Sequence, residues 1–134
     1  MNEKEYRDRC EAVLSKELPV ESPDELMKAA VEVESLGYLA TKFQAMSERR
    51  LREAEVSMMN ERAKAYNEVV GKTAPERQAK VDALTAELAG EIATLESLVK
   101  FYRNLSVLID RRVGLAQSTL ANFSAQIKAG IITR

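Results

Sequence analysis

The chain has no histidine and no tryptophan, and a single cysteine, Cys10. Without histidine it lacks the commonest general base and the commonest metal ligand, and no Ser-His or Cys-His nucleophile pair can form. One cysteine cannot close an intramolecular disulfide or build a zinc site, and it suits a reducing compartment. Glycine and proline together number eight in 134 residues, and aromatics are only 5%. That is a composition for long helices, not for a sheet. There is no Gly-rich phosphate loop. The acid pairs Glu32/Glu34 and Glu53/Glu55 are two apart, which sends them to different faces of a helix; Glu87 and Glu91 share a charged strip. The run Val107-Leu108-Ile109 is too short to cross a bilayer, and the charged start carries no apolar signal core. The expectation is a cytoplasmic protein with no catalytic residue, no metal and no cofactor.

What the chain does have is a heptad run from Val81 to Ile127. One set of positions is Val81, Leu88, Leu95, Tyr102, Ile109, Ala116 and Phe123; the other is Thr85, Ile92, Val99, Ser106, Val113, Leu120 and Ile127. Only Thr85 and Ser106 are polar. A stripe of this kind buries one seam against another helix.

Helix signals place the rest. Asn2 followed by Glu5 reads as a capping box, and Leu18-Pro19 stops the helix, giving a short acidic element over 3–17. Ser22-Pro23-Asp24-Glu25 starts a second helix over 23–70, with apolar positions from Leu26 to Val69 interrupted at Ser47, Arg50 and Arg62. Gly37 lets that helix bend or a neighbour approach. Gly71 reads as a left-handed cap, and Thr73-Ala74-Pro75-Glu76 opens a third helix over 75–128 that stops at Ala129-Gly130. The short connection makes the two long helices antiparallel neighbours, a hairpin of roughly 70 Å at 1.5 Å per residue. The fold class is all-α: a single helical domain with a short N-terminal helix and a long hairpin with coiled-coil packing.

The third helix carries more apolar surface than one partner covers. Leu84, Leu98 and Leu105 lie on one side of the seam; Phe101, Leu108 and Leu115 lie on another. Leaving six such side chains in water forfeits on the order of 10 kcal/mol. Either the first helix folds back over them or several copies pack together, and both can hold. The expectation is a homo-oligomer with these six residues at its interface.

Charge is uneven along a chain of net charge −1. Residues 1–34 hold ten acids and five bases; residues 97–134 hold one acid, Asp110, and six bases, Lys100, Arg103, Arg111, Arg112, Lys128 and Arg134. Folding the hairpin about residue 73 brings Lys100 and Arg103 level with Lys42, Arg49, Arg50 and Arg52, near Phe43 and Tyr102. A second group, Arg62, Lys64, Lys72, Arg77 and Lys80, lies by the turn with Tyr66. Acids are interleaved with these bases, as on an ordinary solvated face. Repeated around an oligomer, the same bases can add up to a groove for single-stranded DNA. Phe43 and Tyr102 fit the core better than a stacking platform. Met46, Met58 and Met59 read as core filler rather than an adaptable partner surface.

Two strings carry a resemblance: Glu61-Arg62-Ala63-Lys64-Ala65-Tyr66, and Val99-Lys100-Phe101 running into Leu105, Leu108, Arg111 and Arg112 and then Ala121-Asn122-Phe123. Over residues 22–128 the chain resembles the UvsY-type recombination mediators of tailed phages, which are ring-like homo-oligomers of helical hairpins. In that family a basic pair followed by tyrosine contributes to single-stranded DNA binding, which implies the role for Arg62 and Lys64. The acidic balance here departs from the family. The resemblance implies a mediator that loads a RecA-type recombinase onto strands coated by single-strand-binding protein. The rival reading is a non-enzymatic helical module acting only through protein contacts, such as a phage anti-defence or assembly factor. A third is an adaptor that docks through its acidic first helix.

Overall fold

Caps and stops set the element order. A computed structural model describes residues 1–130, which form four helices and no strand: α1 (Glu3–Leu14), α2 (Pro23–Glu68), α3 (Ala74–Leu84) and α4 (Ala86–Lys128). Arg134 lies outside the described residues. The box that opens α1 is complete: Glu5 N–H donates to Asn2 Oδ1 at 2.8 Å, and Asn2 N–H donates to Glu5 Oε2 at 3.2 Å. α1 ends at Leu14, three residues before the expected stop. Its last turn holds no base of its own. The cation comes from α4: Arg112 donates to Leu14 O at 3.4 Å and to Lys16 O. It thereby serves carbonyls that have no partner inside the helix, at the negative end of the helix dipole.

Ser22 starts α2, accepting from Glu25 N–H at 3.4 Å. At the other end the structure corrects the reading of Gly71. Among the described residues the left-handed glycine is Gly130, at φ 73°, which ends α4 as expected. Gly71 is not left-handed, and α2 stops at Glu68. Its reason for being glycine is space. A Cβ there would meet Arg77 Cγ at 2.9 Å and Arg77 N at 3.3 Å, because the first turn of α3 folds onto it. Gly71→Ala is therefore expected to cost about 1–3 kcal/mol, as crowding does. Gly37→Ala is the control in urea unfolding. Its Cβ would lie 3.4 Å from an Ile109 methyl, an ordinary contact, and it gains up to about 1 kcal/mol of helix propensity.

The heptad run is not one helix. It divides at Thr85, whose backbone sits at φ −106° and ψ 8°. Thr85 is a buried polar residue of the seam, and its hydroxyl donates to Val81 O at 2.9 Å. Back-bonding of this kind bends helices. Thr85 N–H still reaches Val81 O at 3.1 Å and Ala89 N–H reaches Thr85 O at 3.0 Å, so the opening is local. None of the fourteen seam positions is exposed; each is buried or half-buried.

The chain forms two compact units, in which α2 and α4 pack together. The first joins Met1–Phe43 to the stretch that begins at Tyr102; the second is Gln44–Phe101. In the first unit α1 folds back onto the long helices and buries Tyr6, Cys10 and Val13. Tyr6 is the anchor. Its hydroxyl donates to Leu36 O at 2.6 Å, and its ring lies 5.0 Å from that of Phe43, which in turn lies 5.8 Å from that of Tyr102. Leu26, Val33, Leu36, Ala40, Ile109 and Ala116 complete this core, with Leu18, Leu120 and Phe123 packed at one end. The core of the second unit is thinner. Ser47, Ala65, Val81, Thr85 and Val99 are buried, while Leu51, Ala54, Met58, Leu88, Ile92 and Leu95 are half-buried.

Candidate nucleic-acid interface

The bases expected at the turn all lie in the second unit, and three of the five are spent on the fold. Arg62 follows the buried stripe of α2, and its side chain is 29% exposed. It pairs with Asp82 of α3 at 2.8 Å, donates to Thr85 Oγ1 at 3.4 Å and stands 5.9 Å from the centroid of the Tyr66 ring. Gln78 closes the loop, donating to Asp82 at 3.0 Å and accepting from the Tyr66 hydroxyl. Arg62, and then Gln78, hold the Asp82 carboxyl below its ordinary range. The basic-pair-and-tyrosine string is therefore largely a clasp between α2 and α3. Arg77 donates to Gly71 O at 2.9 Å and Lys80 to Val70 O; both satisfy carbonyls just past the end of α2. Lys80 also stands 3.7 Å from Glu76. Lys64 and Lys72 are exposed.

The mid-hairpin band divides between the units. Lys42 and Arg103 belong to the first; Arg49, Arg50, Arg52 and Lys100 belong to the second. All six are exposed. Arg50, read from sequence as an interruption of the apolar stripe, lies off it. Arg49 pairs with Glu53 at 3.3 Å, but both are mostly in water, where such a pair is worth little and leaves the cation able to change partners. Phe43 and Tyr102 lie in the core and stack on each other, so neither offers a face to a base.

Of the six apolar residues expected at an interface, Leu105 is buried within the first unit and Leu98 is half-buried. Leu84, Phe101, Leu108 and Leu115 remain exposed. Sequence reasoning missed the capping role of Arg112; the only sign was a helix with no base in its last turn. It also missed that Ser106, a seam position, keeps a buried Oγ with no hydrogen-bond partner among the described residues.

Burial pushes the Cys10 thiol up, away from a reactive thiolate. A shallow groove of about 210 Å³ in the second unit is lined by Glu61, Glu87 and Glu91 with Leu84, Thr85 and Leu88. Three carboxylates would repel a phosphate chain. No cluster of metal-binding side chains occurs among the described residues, and no described helix is long and apolar enough to cross a membrane. The fold and surface define an all-α protein of long paired helices with dispersed exposed cations. No family model, curated protein or solved structure matches the chain.

Proposed function

We propose that this chain is a non-enzymatic recombination mediator. It associates with itself, holds single-stranded DNA, and helps to load a RecA-type recombinase onto strands coated by single-strand-binding protein. The observation that supports DNA binding is the exposure of Arg49, Arg50 and Arg52 within about one turn of α2, with Lys64, Lys72 and Lys100 exposed on the same unit. The recombinase and the coated strand come from the resemblance to UvsY-type mediators. The mechanism is electrostatic: each copy makes a few phosphate contacts, and repetition around an oligomer sums them. Glu48, Glu53 and Glu55 dilute the patch on any one copy.

Binding of a labelled single-stranded oligonucleotide across several salt concentrations tests this. A steep negative salt slope is expected. Arg49→Ala/Arg52→Ala/Lys64→Ala should flatten that slope by roughly 2, at about 0.7 per phosphate contact. Arg62→Ala should instead weaken the fold, because its guanidinium is held by Asp82. An absence of binding at low salt would sink the mediator reading. One observation favours a second reading, a module that acts only through protein contacts: Arg62, Arg77 and Lys80 are engaged internally, while large apolar side chains stand in water.

A further inference from the structure

The first unit carries two outward helix faces with the same spacing and opposite charge. On α2, Glu34 comes three residues after Val31 and four before Tyr38. On α4, Arg111 comes three residues after Leu108 and four before Leu115. Spacings of three and four keep each trio on one side of its helix. At 3.6 residues per turn the α2 trio stands roughly 145° round from the buried stripe of Leu26, Ala30, Val33, Leu36, Ala40 and Phe43. Val31 is 61% exposed and Tyr38 76%, Leu108 51% and Leu115 58%. Glu34 and Arg111 are exposed too, and neither is in an ion pair among the described residues.

We propose that these two faces bind each other between copies of the chain: the Val31–Glu34–Tyr38 face of one copy seats on the Leu108–Arg111–Leu115 face of the next. The inference rests on the self-association reading and deepens it by naming the surfaces. The occupant is a second copy because the chain itself supplies both halves of a complementary pair. The two faces do not cover each other within one chain, since both are open to water. With the helices side by side, Glu34 meets Arg111 in the middle, and an apolar pair closes on each side and excludes water from the ion pair. The apolar side chains supply the attraction; the charges set the register and exclude pairing of like faces. The contact is heterologous. Any open pair leaves one face of each kind unfilled, so association continues, into a ring if the rotation between copies closes and into an open filament if it does not.

Light scattering after size exclusion, with helicity followed by circular dichroism, tests this. Wild type should exceed the 15.0 kDa of one chain. Glu34→Arg and Arg111→Glu should each reduce the mass toward a single chain with helicity unchanged, and the double swap should restore it. Tyr38→Asp and Leu108→Asp should each be monomeric alone, yet form a one-to-one dimer when mixed, because each keeps the face the other has lost. A monomeric wild type at micromolar concentration would overturn both the self-association reading and this pairing. A wild-type oligomer indifferent to all four substitutions would overturn the pairing alone. If Tyr38→Asp left association intact while Leu108→Asp abolished it, an α4-to-α4 contact would replace the one proposed. DNA binding is scored separately, so loss of the mediator reading leaves this result standing.

Discussion

Tyr6→Ala is expected to lower stability by about 3–5 kcal/mol, as deletion of a large buried aromatic does, and to release α1 from the first unit. The side chain has no exposed surface. Its ring bridges α1 to Phe43, and its hydroxyl holds Leu36 O at 2.6 Å. α1 is too short to hold its shape alone; apart from Tyr6, its hold rests on Cys10, Val13, Leu14, the Arg9–Glu32 pair at 2.6 Å and the bond from Arg112. Hydrogen exchange should therefore show the amides of Glu3–Leu14 losing protection before those of α2. Tyr6→Phe separates the two contributions. It keeps the ring and removes only the hydroxyl, at about 0.5–1.5 kcal/mol. A Tyr6→Ala protein with an unchanged urea midpoint and a protected α1 would show that the anchor lies elsewhere.

The second large effect is alkaline. Burial, followed by the nearby carboxylate of Glu3, pushes the Tyr102 hydroxyl up from 10.0 to about 12. Burial also pushes the Tyr6 hydroxyl well above its ordinary range. In both cases the folded state favours the protonated form. Stability is therefore fully present below the unfolded value near 10 and is lost as pH rises toward the folded values. The Tyr102 shift alone corresponds to roughly 3 kcal/mol, at about 1.4 kcal/mol per unit. Helicity should fall cooperatively above pH 10, accompanied by tyrosinate absorbance. Tyr102→Phe should move the onset upward, because one of the two protons no longer has to be lost. If the onset did not move, groups other than this pair would control alkaline unfolding.

Much of the helical order was legible because it depends on local chemistry. Asn2 with Glu5, Ser22 and Thr73 are caps whose partners lie three residues away, and the heptad seam is a matter of spacing. Gly71 and Gly130 show the limit. Both stand near the end of a long helix, yet one is left-handed and the other makes room for Arg77, a contact between elements that local sequence does not encode. The candidate interface was less legible for the same reason. A run of bases beside a turn looks alike whether the bases face water or hold carbonyls and carboxylates of neighbouring segments. Arg62, Arg77 and Lys80 differ from Lys64 and Lys72 only in what the fold brings near them. The outward trios were half visible: Leu108 and Leu115 stood out beside the seam. Val31 and Tyr38 gained meaning only once α2 was seen to bury its opposite face.

The bond from Arg112 to the end of α1 has a consequence in time. It joins residues 98 apart in sequence, whereas the Arg62–Asp82 pair spans 20. Closing a long loop costs more entropy than closing a short one, and folds that depend on distant contacts form slowly. On a ribosome the acidic first helix is made before the second unit, together with its partners Leu36 and Phe43 on α2. Its aromatic neighbour on α4, and the arginine that caps it, are made only after the whole second unit has been synthesised. A first hold on α2 is thus available early, and the helix is fully seated only once Arg112 has been made.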